Sequence, residues 1–131
     1  MSSTVNELPR VAFFDFTSCE GCQLTVLDVL QTHPELLKVV NIVEFREASS
    51  ARSDDYQIAF IEGSCTRPGD EERLKRIRET AVYVIALGAC AHLGGINAIR
   101  NRQPLPDVRQ YVYGDKAEWY DTYPARAIDQ V

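Results

Sequence analysis

Four cysteines, Cys19, Cys22, Cys65 and Cys90, are the side chains whose type and spacing point most directly to chemistry. Cys19 and Cys22 form a Cys-x-x-Cys pair, and the other two stand alone. Thiolates are soft ligands suited to iron–sulfur clusters and to zinc. A cubane cluster takes four of them, and one close pair plus distant cysteines is a common source. Gly21 inside the pair and Gly88 just before Cys90 let the backbone bend closely around an inorganic core. Zinc accepts the same sulfurs, but structural zinc sites usually draw on two close pairs where this chain has one. That leaves a zinc-stabilised interaction domain as one alternative. A thioredoxin-like dithiol oxidoreductase using Cys19 and Cys22 is the other. Against the dithiol, Ser18 and not a tryptophan precedes the pair, and the Thr-x-Pro at Thr66 and Pro68 leads into a helix.

Glu20, Glu62 and His92 lie close to the cysteines in sequence. Each has a functional reading, as proton relay or partner contact, and an ordinary one as a solvated loop or surface residue. No nucleophilic triad or acid–base pair accompanies them, so the isolated chain is not expected to be catalytic.

The chain has 131 residues, 45% hydrophobic and 25% charged, which suits one modest globular domain. Its 14 Lys and Arg against 19 Asp and Glu leave a net charge of −5 and no basic stripe, so a nucleic-acid partner is not expected. The longest apolar run, residues 81–87, is far short of the roughly 20 residues a membrane helix needs. Residues 1–10 carry neither an apolar signal core nor a twin-arginine pair, which makes the cytoplasm the expected compartment. In a reducing compartment, four thiols favour metal or redox chemistry over a disulfide frame.

The elements that must position these residues follow from hydrophobic patterning. Strands are predicted over residues 11–16, 39–45, 57–61 and 82–87, the last continuous in its apolarity as a central parallel strand should be. Helices are predicted over residues 23–31 and 69–80, with a shorter one between Cys90 and Arg100. Leu24, Leu27 and Leu30, widened by Val26 and Val29, predict a first helix buried on more than one side. Residues 46–55 read as a surface loop, and 101–131 as an irregular C-terminal segment. Alternating strands and helices imply an α/β fold with a flavodoxin-like parallel sheet of order 2-1-3-4. The loops leaving the carboxyl ends of such strands share one rim. Cys19 and Cys22 follow the first strand, Cys65 the third and Cys90 the fourth, so topology alone gathers the thiols.

The residues Cys19-Glu20-Gly21-Cys22-Gln23, Glu62-Gly63-Ser64 and Gly88-Ala89-Cys90-Ala91-His92-Leu93-Gly94-Gly95 together resemble the small subunit of soluble, cytoplasmic [NiFe] hydrogenases. The related complex I subunit is similar but has adjacent cysteines where this chain has a spaced pair. The resemblance implies a flavodoxin-like domain carrying a [4Fe–4S] cluster for electron transfer beside the nickel–iron site of a hydrogenase large subunit. Further diaphorase-type electron-transfer subunits are implied as partners. Cys19, Cys22 and Cys90 stand at three of the family's four ligand positions. The fourth family ligand lies in a later Gly-Cys-Pro segment, so the expectation is a chain ending before it. Either the cluster is then incomplete, or Cys65 substitutes as the fourth ligand.

Overall fold

The computed structural model describes residues 8–131. Its strands are β1 (Arg10–Asp15), β2 (Asn41–Phe45), β3 (Ile58–Glu62) and β4 (Tyr83–Leu87), and its helices α1 (Gly21–Thr32), α2 (Pro68–Thr80), α3 (Ala89–Leu93) and α4 (Leu105–Tyr113). All strand pairs are parallel and the order is β2-β1-β3-β4, as the sequence predicts. The chain steps outward from β1 to β2 in one direction and from β3 to β4 in the other. Right-handed crossovers therefore place α1 and α2 on opposite faces.

Strand side chains alternate between those faces. Val11, Phe13 and Phe45 point to the α1 face, where Val26, Leu27 and Leu30 cover them. Phe13 stacks between Phe45 and Phe60, with ring centroids 4.3 and 4.9 Å away. Ala12, Phe14, Phe16, Ala59 and Ile61 point to the α2 face and meet Leu74 and Ile77. The β2–β3 connection contains no helix. It is pinned by the Ser53 N–H donating to Glu44 Oε1 at 3.1 Å and by an Arg10–Asp55 ion pair at 3.2 Å.

Three expectations need correction. The unbroken apolarity of β4 suits a central strand, but the strand lies at an edge of the sheet, where the predicted order also puts it, with Tyr83 65% exposed. Its apolar run meets α2 and the C-terminal segment on one face only, through Val84. Helix α1 is not buried on more than one side: Val26, Leu27 and Leu30 pack against the sheet, while Leu24 and Val29 stay exposed. The C-terminal segment is not irregular throughout. It holds α4 between two 3₁₀ segments, Gly95–Arg102 and Gly114–Trp119. Pro104 and Pro106 stand at the start of α4, where a missing N–H costs nothing.

Candidate metal centre

The rim is assembled from the exits of β1, β3 and β4. The Phe16 N–H donates to the Glu62 carbonyl at 2.7 Å, and Thr17 and Ser64 exchange backbone hydrogen bonds at 3.1 and 3.0 Å. Gly63 permits this contact. With φ at +95°, its position would put a Cβ 2.6 Å from the Phe16 carbonyl carbon, and no other residue fits. The β1 and β3 exits thus lie side by side.

Helix α1 starts at Gly21, two residues earlier than its apolar pattern predicts, which places Cys22 inside the first turn. Glu20 precedes it in the left-handed region at φ 65° and supplies no side-chain cap. The cap comes from a distant strand. Glu62 is 1% exposed, and its Oε2 accepts the N–H of Cys22 at 2.7 Å and of Gln23 at 3.3 Å. Glu62 is therefore the buried end of β3 and not a solvated loop residue. Among the described residues, its Oε1 and the buried Gln23 Nε2 have no hydrogen-bond partner.

Gly21 lies against the Cys19 sulfur, 3.3 Å from where a Cβ would stand. Across the rim, a Cβ at Gly88 would overlap the Cys22 sulfur, so the Cys-x-x-Cys turn packs directly on the strand exit that carries Cys90. Gly88 has φ +86°, open to glycine at no cost. Burial pushes the Cys22 thiol up, and the Glu62 carboxylate, Cys90 and Cys19 add to the effect. A helix start by itself would lower it; here desolvation and nearby negative charge win. Cys19 is exposed, and Cys22 and Cys90 are half-buried. Among the described residues, no three His, Cys, Asp or Glu side chains converge as ligands of a single metal ion must.

Cys65 is elsewhere. It is buried within the α2-side core, and its backbone pairs with Arg126 in an isolated antiparallel bridge. Burial, then the charge of Asp70, raises its thiol to about 11. His92 is exposed and lines a hollow with Arg78, Ile128 and Asp129, with no cysteine in its wall. The neighbouring carboxyls of Glu47 and Asp15 push the Glu20 carboxyl up to about 7.

Two asparagines went unnoticed in the sequence. Asn97 Nδ2 donates to the Thr17 carbonyl and to Ser64 Oγ, both at 2.8 Å. Asn101 exchanges two hydrogen bonds with the Ala125 backbone at 2.7 and 3.0 Å, holding the C-terminal segment. Their i,i+4 spacing after Gly94-Gly95 was the available signal.

Residues 19–125 match the family described as NADH ubiquinone oxidoreductase, 20 Kd subunit. The chain belongs to that family. Within it, the similarities run to hydrogenases. The chain is 31% identical over 109 residues to the NAD-reducing hydrogenase HoxS subunit delta of Cupriavidus necator, covering 82% of this chain and 52% of the relative. It is 32% identical over 91 residues to the sulfhydrogenase 2 subunit delta of Pyrococcus furiosus, covering 69% of this chain and 38% of the relative. The chain thus spans about half the length of these curated relatives or less. A crystal structure of NAD+-reducing [NiFe]-hydrogenase in the H2-reduced state superposes with a TM-score of 0.72 at 25% identity, over 92% of this chain and 66% of that one. The α/β fold of this family member is that of a hydrogenase subunit. Among the described residues, no helix is long and apolar enough to cross a membrane.

Proposed function

We propose that this chain is the electron-transfer subunit of a cytoplasmic [NiFe] hydrogenase, with Cys19, Cys22 and Cys90 as ligands of a proximal [4Fe–4S] cluster. The observation that carries the reading is the packing of Cys22 on Gly88. It brings the Cys-x-x-Cys turn against the Cys90 exit although the two are far apart in sequence. The donor set suits an iron–sulfur core at three corners: soft thiols, with the Cys19 and Cys22 sulfurs lying against Gly21 and Gly88 where no side chain crowds them. Cys65 is left out of the ligand set because it belongs to the core. When bound, such a cluster supplies one-electron transfer, and its potential responds to burial and hydrogen bonding. The chain's own residues hold the thiols in place: Glu62 orders the Cys22 turn, and Gly88 admits the Cys22 sulfur.

The large catalytic subunit is the proposed partner on this rim, with further diaphorase-type subunits beyond it. Leu24, 50% exposed, follows Cys22, while Leu93 and Ile96, 67% and 75% exposed, follow Cys90. These give the rim an apolar border that a polypeptide surface would cover. Glu20 and His92 are exposed enough to meet that partner, whereas Glu62 acts from beneath.

Anaerobic reconstitution tests the reading. Brown protein with a broad visible band and matching iron and sulfide is expected. Colourless, iron-free protein that instead binds zinc or forms a reversible Cys19–Cys22 disulfide would overturn it.

A further inference from the structure

Asn97 sits in the 3₁₀ segment Gly95–Arg102 that follows α3, and its side chain reaches back to both neighbouring exits. Its Nδ2 carries two hydrogens, and both are used: one on the Thr17 carbonyl, two residues before Cys19, and one on Ser64 Oγ, two residues after Glu62. On its other side Asn97 is coupled tightly to Cys90. Gly94 and Gly95 both take positive φ, and a Cβ at Gly95 would stand 3.0 Å from the Cys90 nitrogen. The β1 and β3 exits are already joined to one another by the Thr17–Ser64 backbone pair. Among the described residues, the two Asn97 bonds are the hydrogen bonds that join residues 89–102 to residues 16–23 and 63–66.

We propose that Asn97 is the positioning residue that sets how Cys90 stands relative to Cys19 and Cys22. A carboxamide is the group this task needs. Thr17 presents a carbonyl that only accepts, so the clamp must donate, and one NH2 bridges both exits at once. The proposal rests on reading the three thiols as one ligand set, and its test is therefore made without metal.

In the full chain carrying Cys19→Ser, reduced and metal-free, Cys22 and Cys90 are cross-linked with dibromobimane, and the bridge is located by peptide mass. Far-ultraviolet circular dichroism monitors the fold. Asn97→Ala is expected to slow bridging by at least about fivefold, the effect of losing hydrogen bonds of ordinary strength. Asn97→Asp, nearly the same size, is expected to be slower still, because it turns a carboxylate toward the Thr17 carbonyl. A role in filling space would rank the two the other way. Bridging by Asn97→Asp that equals the parent, or exceeds Asn97→Ala, overturns the proposal. Should either variant fail to fold, Ser64→Ala removes one acceptor and leaves the Thr17 bond. About twofold slower bridging is then expected, and an unchanged rate overturns the proposal. Iron bound after reconstitution of the unmutated chain is measured separately. Its absence would defeat the ligand-set reading, while the cross-linking rates still decide what Asn97 does.

Discussion

Glu62 Oε2 accepts the backbone N–H of Cys22 at 2.7 Å across a separation of 40 residues. The first N–H groups of a helix have no partner within the helix, and a polar side chain just before it usually supplies one. Glu20 stands at that place in the left-handed conformation and makes no such bond. The last residue of β3 does so instead, and this ties the geometry of the Cys-x-x-Cys turn to the sheet.

Glu62→Ala should therefore destabilise the chain by about 1–3 kcal/mol, since it strands buried N–H groups at the start of α1. Glu62→Gln, which keeps an acceptor of similar reach, should lose less. Urea unfolding of the metal-free chain measures both, and equal stabilities for parent and Glu62→Ala would contradict the capping role.

Gly88→Ala should reduce bound iron well below that of the parent, because the new Cβ overlaps the Cys22 sulfur. The φ of +86° adds strain, on the order of 1–3 kcal/mol. Gly69→Ala is the control. Nothing lies within 4 Å of its Cβ position in α2, and stability should rise by roughly 0.4–1 kcal/mol.

Serine replacement should divide the cysteines three to one. Cys19→Ser, Cys22→Ser and Cys90→Ser should each lose iron and visible absorption after reconstitution. Cys65→Ala should keep both, at a stability cost of about 1 kcal/mol for the vacated core volume. Iron loss on replacing Cys65 would return it to the ligand set.

Alkaline pH should weaken the fold through Cys65. Its thiol ionises near 9.0 when free and at about 11 when buried in the native chain. The native state therefore holds the proton more tightly, and its advantage is complete below pH 9 and is lost as pH rises toward 11. Unfolding free energies measured across that interval should fall more steeply for the parent than for Cys65→Ala. Iodoacetamide at pH 8 should modify exposed Cys19 rapidly and leave Cys65 intact until the chain unfolds.

The sequence by itself determined the strand runs, the parallel order and the gathering of cysteines at strand exits. Consecutive apolar residues such as Ala12, Phe13 and Phe14 point to alternate faces and so call for cover on both sides of the sheet, and right-handed crossovers leave little choice of topology. What lay beyond it depended on partners distant along the chain. Pattern reasoning reads neighbours, and nothing near Glu62 announces that its carboxyl caps a helix 40 residues away, or near Asn97 that its amide reaches Thr17 across 80. Cys65 follows β3 at the same rim in the sequence reading, yet it is buried in the α2-side core. The apolar run of β4 shows that the strand exists, but whether its faces are covered depends on which elements lie over it. Tertiary packing decided those matters, because burial and hydrogen bonding are properties of what surrounds a residue in space.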